Sequence, residues 1–328
     1  MGNAATMGSR KAPPGDVAWG ARSSRPAGTA ADSRSAREPG PARVSGRWLL
    51  VAIAFSIGAA AVCGWLVLCL LFWQGSWQLL YHPAARVVRT PADAGLTFGA
   101  VEFAATDTGV AQLSGWWIPA AADAPYHRFT FIYLHNEDGN LGGTVDAVAR
   151  LHALGVNVLA LDYRGYGKSH FARPSEAHWR EDAESSLQYL VQTRHINPAA
   201  IVLDGTGLGA NLALEVAAQH ASLAGVVVES PESEPMGAVF DDARARLVPA
   251  RLLNHDRYDL NAAARELRIP LLWIARTSAA GQGQAAEQPA AYKAVPSPKM
   301  LVWLDASGGD GEKYADALTR WLDGLRLR

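Results

Sequence analysis

Cysteine is scarce in this chain of 328 residues. The two present, Cys63 and Cys69, both lie inside one apolar run, which excludes a disulfide framework and a thiolate metal cluster. An excess of charge is also missing: 30 Lys+Arg against 31 Asp+Glu give a net charge of −1. No global basic field therefore points to nucleic acid, and none is expected as a partner. Histidine is absent from a whole region, since none of the nine follows His255. What remains, 49% hydrophobic and 19% charged residues, is the composition of a globular chain.

The sequence divides into three pieces. Residues 1–47 are rich in Ala, Gly, Pro, Ser and Arg without apolar periodicity, so they cannot bury enough surface to order themselves, and a disordered tail is expected. The tail is basic, with eight Lys or Arg against three acidic residues. Residues 48–73 run 26 positions without a charge, longer than the roughly 20 that a helix needs to cross hydrocarbon. The run is also too long for a cleaved signal peptide, and no small-residue cleavage site follows it, so a signal anchor is predicted with the lipid bilayer as its partner. Arg43 and Arg47 flank its N-terminal side, whereas nothing basic follows before Arg86. That asymmetry predicts a cytoplasmic N-terminus and an extracytoplasmic main domain. The rest, 74–328, suits a single α/β domain.

Within that domain, 98–106 and 111–119 have the period-2 pattern of an antiparallel pair. The segments 129–135, 156–163, 199–205, 224–230, 269–275 and 299–305 are short apolar strands, and helical patterns at 141–154, 176–193 and 209–220 fall between the first four. Such alternation predicts a mostly parallel sheet with helices on both faces. Trp116, Trp117, Trp273 and Trp303 read as core or sheet-face residues.

Several turns carry more information. FIYLHNEDGN at 131–140, NVLALDYRGYGKS at 157–169 and VVVESPES at 226–233 resemble the membrane-anchored branch of the α/β-hydrolase fold family, related to serine esterases, lipases and acyl-peptidases. In that resemblance the first stretch matches an oxyanion loop, and Gly205-Thr206-Gly207-Leu208-Gly209 matches the GxSxG nucleophile elbow. The resemblance implies a Ser nucleophile, an acid and a His in that chain order. Each corresponding position is empty of its chemistry here. Gly207 stands at the nucleophile, Ala279 at the acid and Gly309 at the histidine, and after Thr277 no carboxylate occurs before Glu287. Because no histidine lies in the last 73 residues, a histidine after the last strand is impossible. Loss of all three removes a unit whose members act together.

The oxyanion loop changes sign as well. Asn136, Glu137 and Asp138 follow His135, and carboxylates beside a developing negative charge raise its energy. The expected function is therefore that of a pseudoenzyme, binding or scaffolding through the old cleft around His135, Asn136, Glu137, Asp138, Gly207, Leu208 and Gly309, with an unidentified small molecule or protein as ligand. Two alternatives stay open. One is a relocated nucleophile, drawing on Asp204, Thr206, Ser169 and His170. The other is dinucleotide binding at Gly205–Ala210, where Gly205, Gly207 and Ala210 satisfy GxGxxA and Glu229 ends the next strand. A cation at His135, Glu137 and Asp138 is disfavoured because hard-metal sites need several converging oxygens. No cofactor and no metal is expected.

Overall fold

The computed structural model describes residues 45–105, 109–277, 287–305 and 310–326. Contacts divide the chain into two compact units, Met1–Ser56 and Ile57–Arg328, and the boundary falls inside the first helix, α1 (Gly46–Gly75). This helix is apolar all round, with Leu50, Phe55, Ile57 and Leu71 among its exposed side chains. It is long and apolar enough to cross a membrane. The expected disordered tail falls, except for its last three residues, outside the described residues.

Within the second unit the far half of α1 is built into the domain. Leu68 is half-buried, and Cys69 and Phe72 are buried in the main apolar cluster. Trp65 Nε1 donates to the Leu247 carbonyl at 2.9 Å. Residues 65, 68, 69 and 72 repeat at three and four, so they form one face of the helix.

The domain is organised around an eight-stranded sheet. In chain order its strands are β2 (Gly99–Ala104), β3 (Ala111–Ile118), β4 (Thr130–Leu134), β6 (Asn157–Asp162), β7 (Ile201–Thr206), β8 (Gly225–Glu229), β9 (Leu271–Thr277) and β10 (Lys299–Asp305). They lie side by side as β10-β9-β8-β7-β4-β6-β3-β2. Only β3 runs against its neighbours, pairing antiparallel with β2 and β6. A separate parallel pair joins β1 (His82–Pro83) to β5 (Asp138–Gly139). The inner strands are apolar on both faces because helices cover both, which is why their sequences read as continuous rather than alternating.

Helices α2 (Val145–Ala153) and α9 (Gly311–Arg326) contribute to the apolar cluster on one face; α3 (Glu176–Gln188) and α4 (Leu208–Gln219) contribute to the other. Four shorter helices complete the set: α5 (Gly237–Phe240), α6 (Ala250–Leu253), α7 (Leu260–Glu266) and α8 (Ala290–Ala294). α3 starts where Ser175 Oγ accepts from His178 N, an N-cap that offsets an orphan backbone donor. Its Trp179 is fully buried and stacks on Tyr163 with centroids 4.0 Å apart. A buried aromatic of that size contributes about 3–5 kcal/mol by its truncation cost. The stack ties α3 to the turn after β6, which in turn braces the candidate site.

Candidate functional site

The site begins at the turn between β7 and α4. Gly207 has φ 56° and ψ −127°, a left-handed conformation that costs any side chain free energy, and its N–H donates to the Glu229 carbonyl at 3.0 Å. This is the geometry of a nucleophile elbow, with no side chain at its apex. Gly205 and Gly209 let strand and helix cross closely. A Cβ at Gly209 would run into the carbonyl oxygens of Leu134 and His135.

Opposite the elbow lies the loop after β4, held in place from several sides. Asn140 Nδ2 donates to the carbonyls of Ala84 and Arg86, and Leu141 N donates to Asp162 Oδ1 at 2.8 Å. His82 N and Tyr166 Oη both donate to the Glu137 carbonyl, at 3.0 and 2.8 Å. The result is specific. Glu137 Oε2 accepts from Leu208 N at 3.2 Å, and a Cβ built on Gly207 would lie 3.3 Å from that same oxygen and 3.1 Å from Asn136 Cβ. In an α/β-hydrolase elbow the N–H following the nucleophile is one of the two oxyanion donors, and the loop after the corresponding strand supplies the other. Here a carboxylate from that loop is seated on the donor itself. A carboxylate at the first turn of a helix is stabilised by the unpaired N–H groups and the helix dipole.

The expected cleft residues divide accordingly. Asn136 and Glu137 flank the elbow together with the Leu208 N–H, although the Leu208 side chain is buried. Asp138 turns away, its Oδ1 2.9 Å from His82 Nδ1 on the exposed β1–β5 pair. His135 does not line a cleft, which corrects the sequence-based expectation. It is wholly buried between Tyr163, Tyr166 and Trp179. Its Nδ1 lies 2.7 Å from the Asn136 carbonyl, and burial pushes its pKa down to about 4. It is a neutral structural imidazole above that pH. Ala279 and Gly309 lie outside the described residues.

Of the residues of the relocated-nucleophile alternative, Ser169 and His170 are occupied elsewhere. Ser169 Oγ donates to the Asp162 carbonyl at 2.5 Å and accepts from Ser114 N at 2.9 Å, so it fastens the turn after β6 to β3. His170 enters this network through its backbone. The dinucleotide alternative meets a similar obstacle. Glu229, the residue that would reach a ribose, is buried and accepts from Tyr314 Oη at 2.6 Å, while Gly205 and Gly209 are accounted for by the strand–helix crossing.

Two features go beyond what the sequence shows: the burial of Asp204 and a cavity beside β8 and β9. Asp204, in the middle of β7, is fully buried with both carboxylate oxygens unpartnered among the described residues. Burial and the nearby Glu229 hold its pKa well above the usual carboxylate range. Glu229 is raised too, by burial, with the Tyr314 hydroxyl and Arg276 opposing the rise. The signal for Asp204 is a lone Asp in an apolar strand, which reads equally well as a turn residue at the strand end. The second feature is a cavity of about 340 Å³ at the carboxyl ends of β8 and β9, walled by Trp273 and Trp303, with Ser230 and Arg276 among its polar groups. Ser230 has φ 48° and a buried Oγ with no partner among the described residues. Its signal lies in the turn after β8, where the backbone conformation is invisible in sequence.

With this geometry in view, comparison with known proteins is informative. A family model described as serine aminopeptidase, S33, matches residues 129–275, from the start of β4 into β9. An esterase from Pyrococcus furiosus superposes with a TM-score of 0.54, covering 74% of this chain and 97% of that one at 21% identity. The chain has the α/β-hydrolase fold. An α/β hydrolase from Vibrio vulnificus aligns similarly, with a TM-score of 0.52 over 71% of this chain and 83% of its own at 18% identity. At such identities the likeness speaks for the fold and not for the chemistry. By sequence, this α/β-hydrolase-fold chain is 28% identical over 270 residues to an uncharacterized protein of Mycobacterium tuberculosis, spanning 77% of this chain and 89% of that one. It is also 35% identical over 101 residues to protein bem46 of Schizosaccharomyces pombe, 30% of this chain and 33% of that one.

Proposed function

We propose that this protein is a non-catalytic member of the α/β-hydrolase fold, anchored in a bilayer by α1 with its domain on the extracytoplasmic side, and that its elbow region serves binding or scaffolding. One observation carries the reading: Glu137 Oε2 sits 3.2 Å from Leu208 N, beside a glycine apex. Acyl transfer needs a nucleophile at the apex and an unoccupied donor for the oxyanion. This chain offers a hydrogen atom in the first place and a negative charge in the second. The sequence adds that no histidine follows His255 and that the segment after β9 carries no carboxylate before Glu287. The cavity beside Trp273 and Trp303 is the natural seat for a ligand with an apolar body, since binding sites of this fold lie outside the carboxyl ends of the strands.

The test is exposure of the purified full chain to a fluorophosphonate and to a panel of short- and long-chain esters and peptides. The expected result is no covalent adduct and no turnover above buffer, for the natural chain and for Gly207→Ser alike. Stoichiometric labelling of the natural chain would overturn the reading.

A further inference from the structure

We infer that Ala243–Leu253 forms a membrane-contacting surface of the domain, its leucines entering the boundary between headgroups and acyl chains and its arginines meeting the phosphates of anionic phospholipid. The inference rests on α1 spanning the bilayer, and it follows from one hydrogen bond. The apolar run 48–73 is about 39 Å long at 1.5 Å per residue, longer than the roughly 30 Å of hydrocarbon it must cross. A span that starts at Trp48 reaches the far boundary near residues 65–67, where an indole is at home. From that level onward α1 packs on the domain through Leu68, Cys69 and Phe72. Trp65 Nε1 is hydrogen-bonded to the Leu247 carbonyl. For a near-upright span Leu247 is therefore held close to the membrane boundary.

The neighbourhood of Leu247 has the composition such a position requires. The segment reads ARARLVPARLL and carries three arginines and no carboxylate. Leu247 is 62% exposed and Leu252 74%, a cost in water that contact with acyl chains removes. Between them Val248 and Ala250 are buried, so the segment is fastened to the core by one face and presents the other. Arg246 and Arg251 are exposed, and the Arg251 guanidinium lies 4.8 Å over the Phe240 ring. Arg244 is engaged by Asp242, which leaves Arg246 and Arg251 for the lipid. Basic side chains beside apolar ones that dip into the headgroups are the pattern of an interfacial anchor. The segment belongs to the connection that leaves the sheet at the carboxyl end of β8, the end at which the elbow also lies.

The experiment uses the full chain, with Cys63→Ala and Cys69→Ala, reconstituted in vesicles of phosphatidylcholine and phosphatidylglycerol at 3:1. Nitroxides are placed singly at Leu247→Cys, Leu252→Cys, Ile57→Cys and Ala199→Cys, and depth is read from oxygen against nickel-chelate accessibility. Labels at 247 and 252 are expected about 5–10 Å below the phosphates, the label at 57 deep in hydrocarbon, and the label at 199 in water. Labels at 247 and 252 in water with 57 deep overturn this inference and leave the span standing. A label at 57 in water overturns the span and this inference with it. In phosphatidylcholine alone, or after Arg246→Glu with Arg251→Glu, labels 247 and 252 are expected to move toward water. Unchanged depth in both overturns the assignment to anionic lipid.

Discussion

Glu137 is where sequence and structure together say most about chemistry. Its position in the loop after β4 shows only that a charge stands where small neutral residues are expected; its bond to Leu208 N shows what the charge does. It acts as a cap for α4, and a cap carboxylate is worth about 0.5–2 kcal/mol. Glu137→Ala should therefore lower the melting temperature of the domain by a few degrees, at about 2–4 °C per kcal/mol, while still giving no ester turnover. Turnover gained on unseating the carboxylate would show that the site had been merely blocked. Asp204 makes the opposite prediction. Its pKa is raised in the folded chain, so the native state binds its proton more tightly than the unfolded chain does, and stability falls as pH rises above the unfolded carboxylate value of about 3.9. Asp204→Asn removes that dependence. The variant should match or fall below the natural chain in thermal melts at pH 4 and exceed it at pH 8; equal melting curves at both would show that Asp204 has a partner when ionised.

Why the elements were readable, and parts of the site were not, follows from which interactions set them. The strands at 130–134, 157–162, 201–206 and 225–229 lie within a residue or two of their sequence-derived bounds, because burial on both faces leaves uninterrupted apolar runs between helical patterns. The β2–β3 pair declared itself by alternation, and its antiparallel pairing followed. The elbow was legible through its glycines, since close crossing and positive φ are backbone demands that only glycine meets cheaply. Side-chain direction was not legible. His135 and Glu137 are two positions apart, yet one is buried among rings and the other turns to the elbow, an outcome fixed by Tyr163, Tyr166 and β1, all distant in sequence. The crossing itself can be tested. Gly209→Ala forces a Cβ against the carbonyls of Leu134 and His135, and overpacking of this kind costs about 1–3 kcal/mol. Chemical denaturation should show a loss of that size; no loss would mean that α4 can shift away from β4.

For the whole molecule, the question is how a hydrolase scaffold sits relative to a membrane. The domain is joined to the far half of α1 by packing as well as by the chain, since Leu68, Cys69 and Phe72 pack in its core and Trp65 is hydrogen-bonded to the Leu247 carbonyl. A flexible tether would leave the domain free to turn about α1; this junction holds the domain to the far half of the helix. The side on which the proposed anchor places the domain is a matter of charge: Arg43 and Arg47 stand close to the N-terminal end of α1, while its far end is followed by no basic residue before Arg86. Translocation of a basic flank is disfavoured, so the proposed topology keeps the tail in the cytoplasm. In intact cells expressing the full chain, a membrane-impermeant maleimide should react with Ala199→Cys directly and with Ser24→Cys only after permeabilisation. The reverse labelling pattern would place the domain in the cytoplasm. It would also mean that packing of the domain against α1 during synthesis outweighs the arginine flank in setting topology.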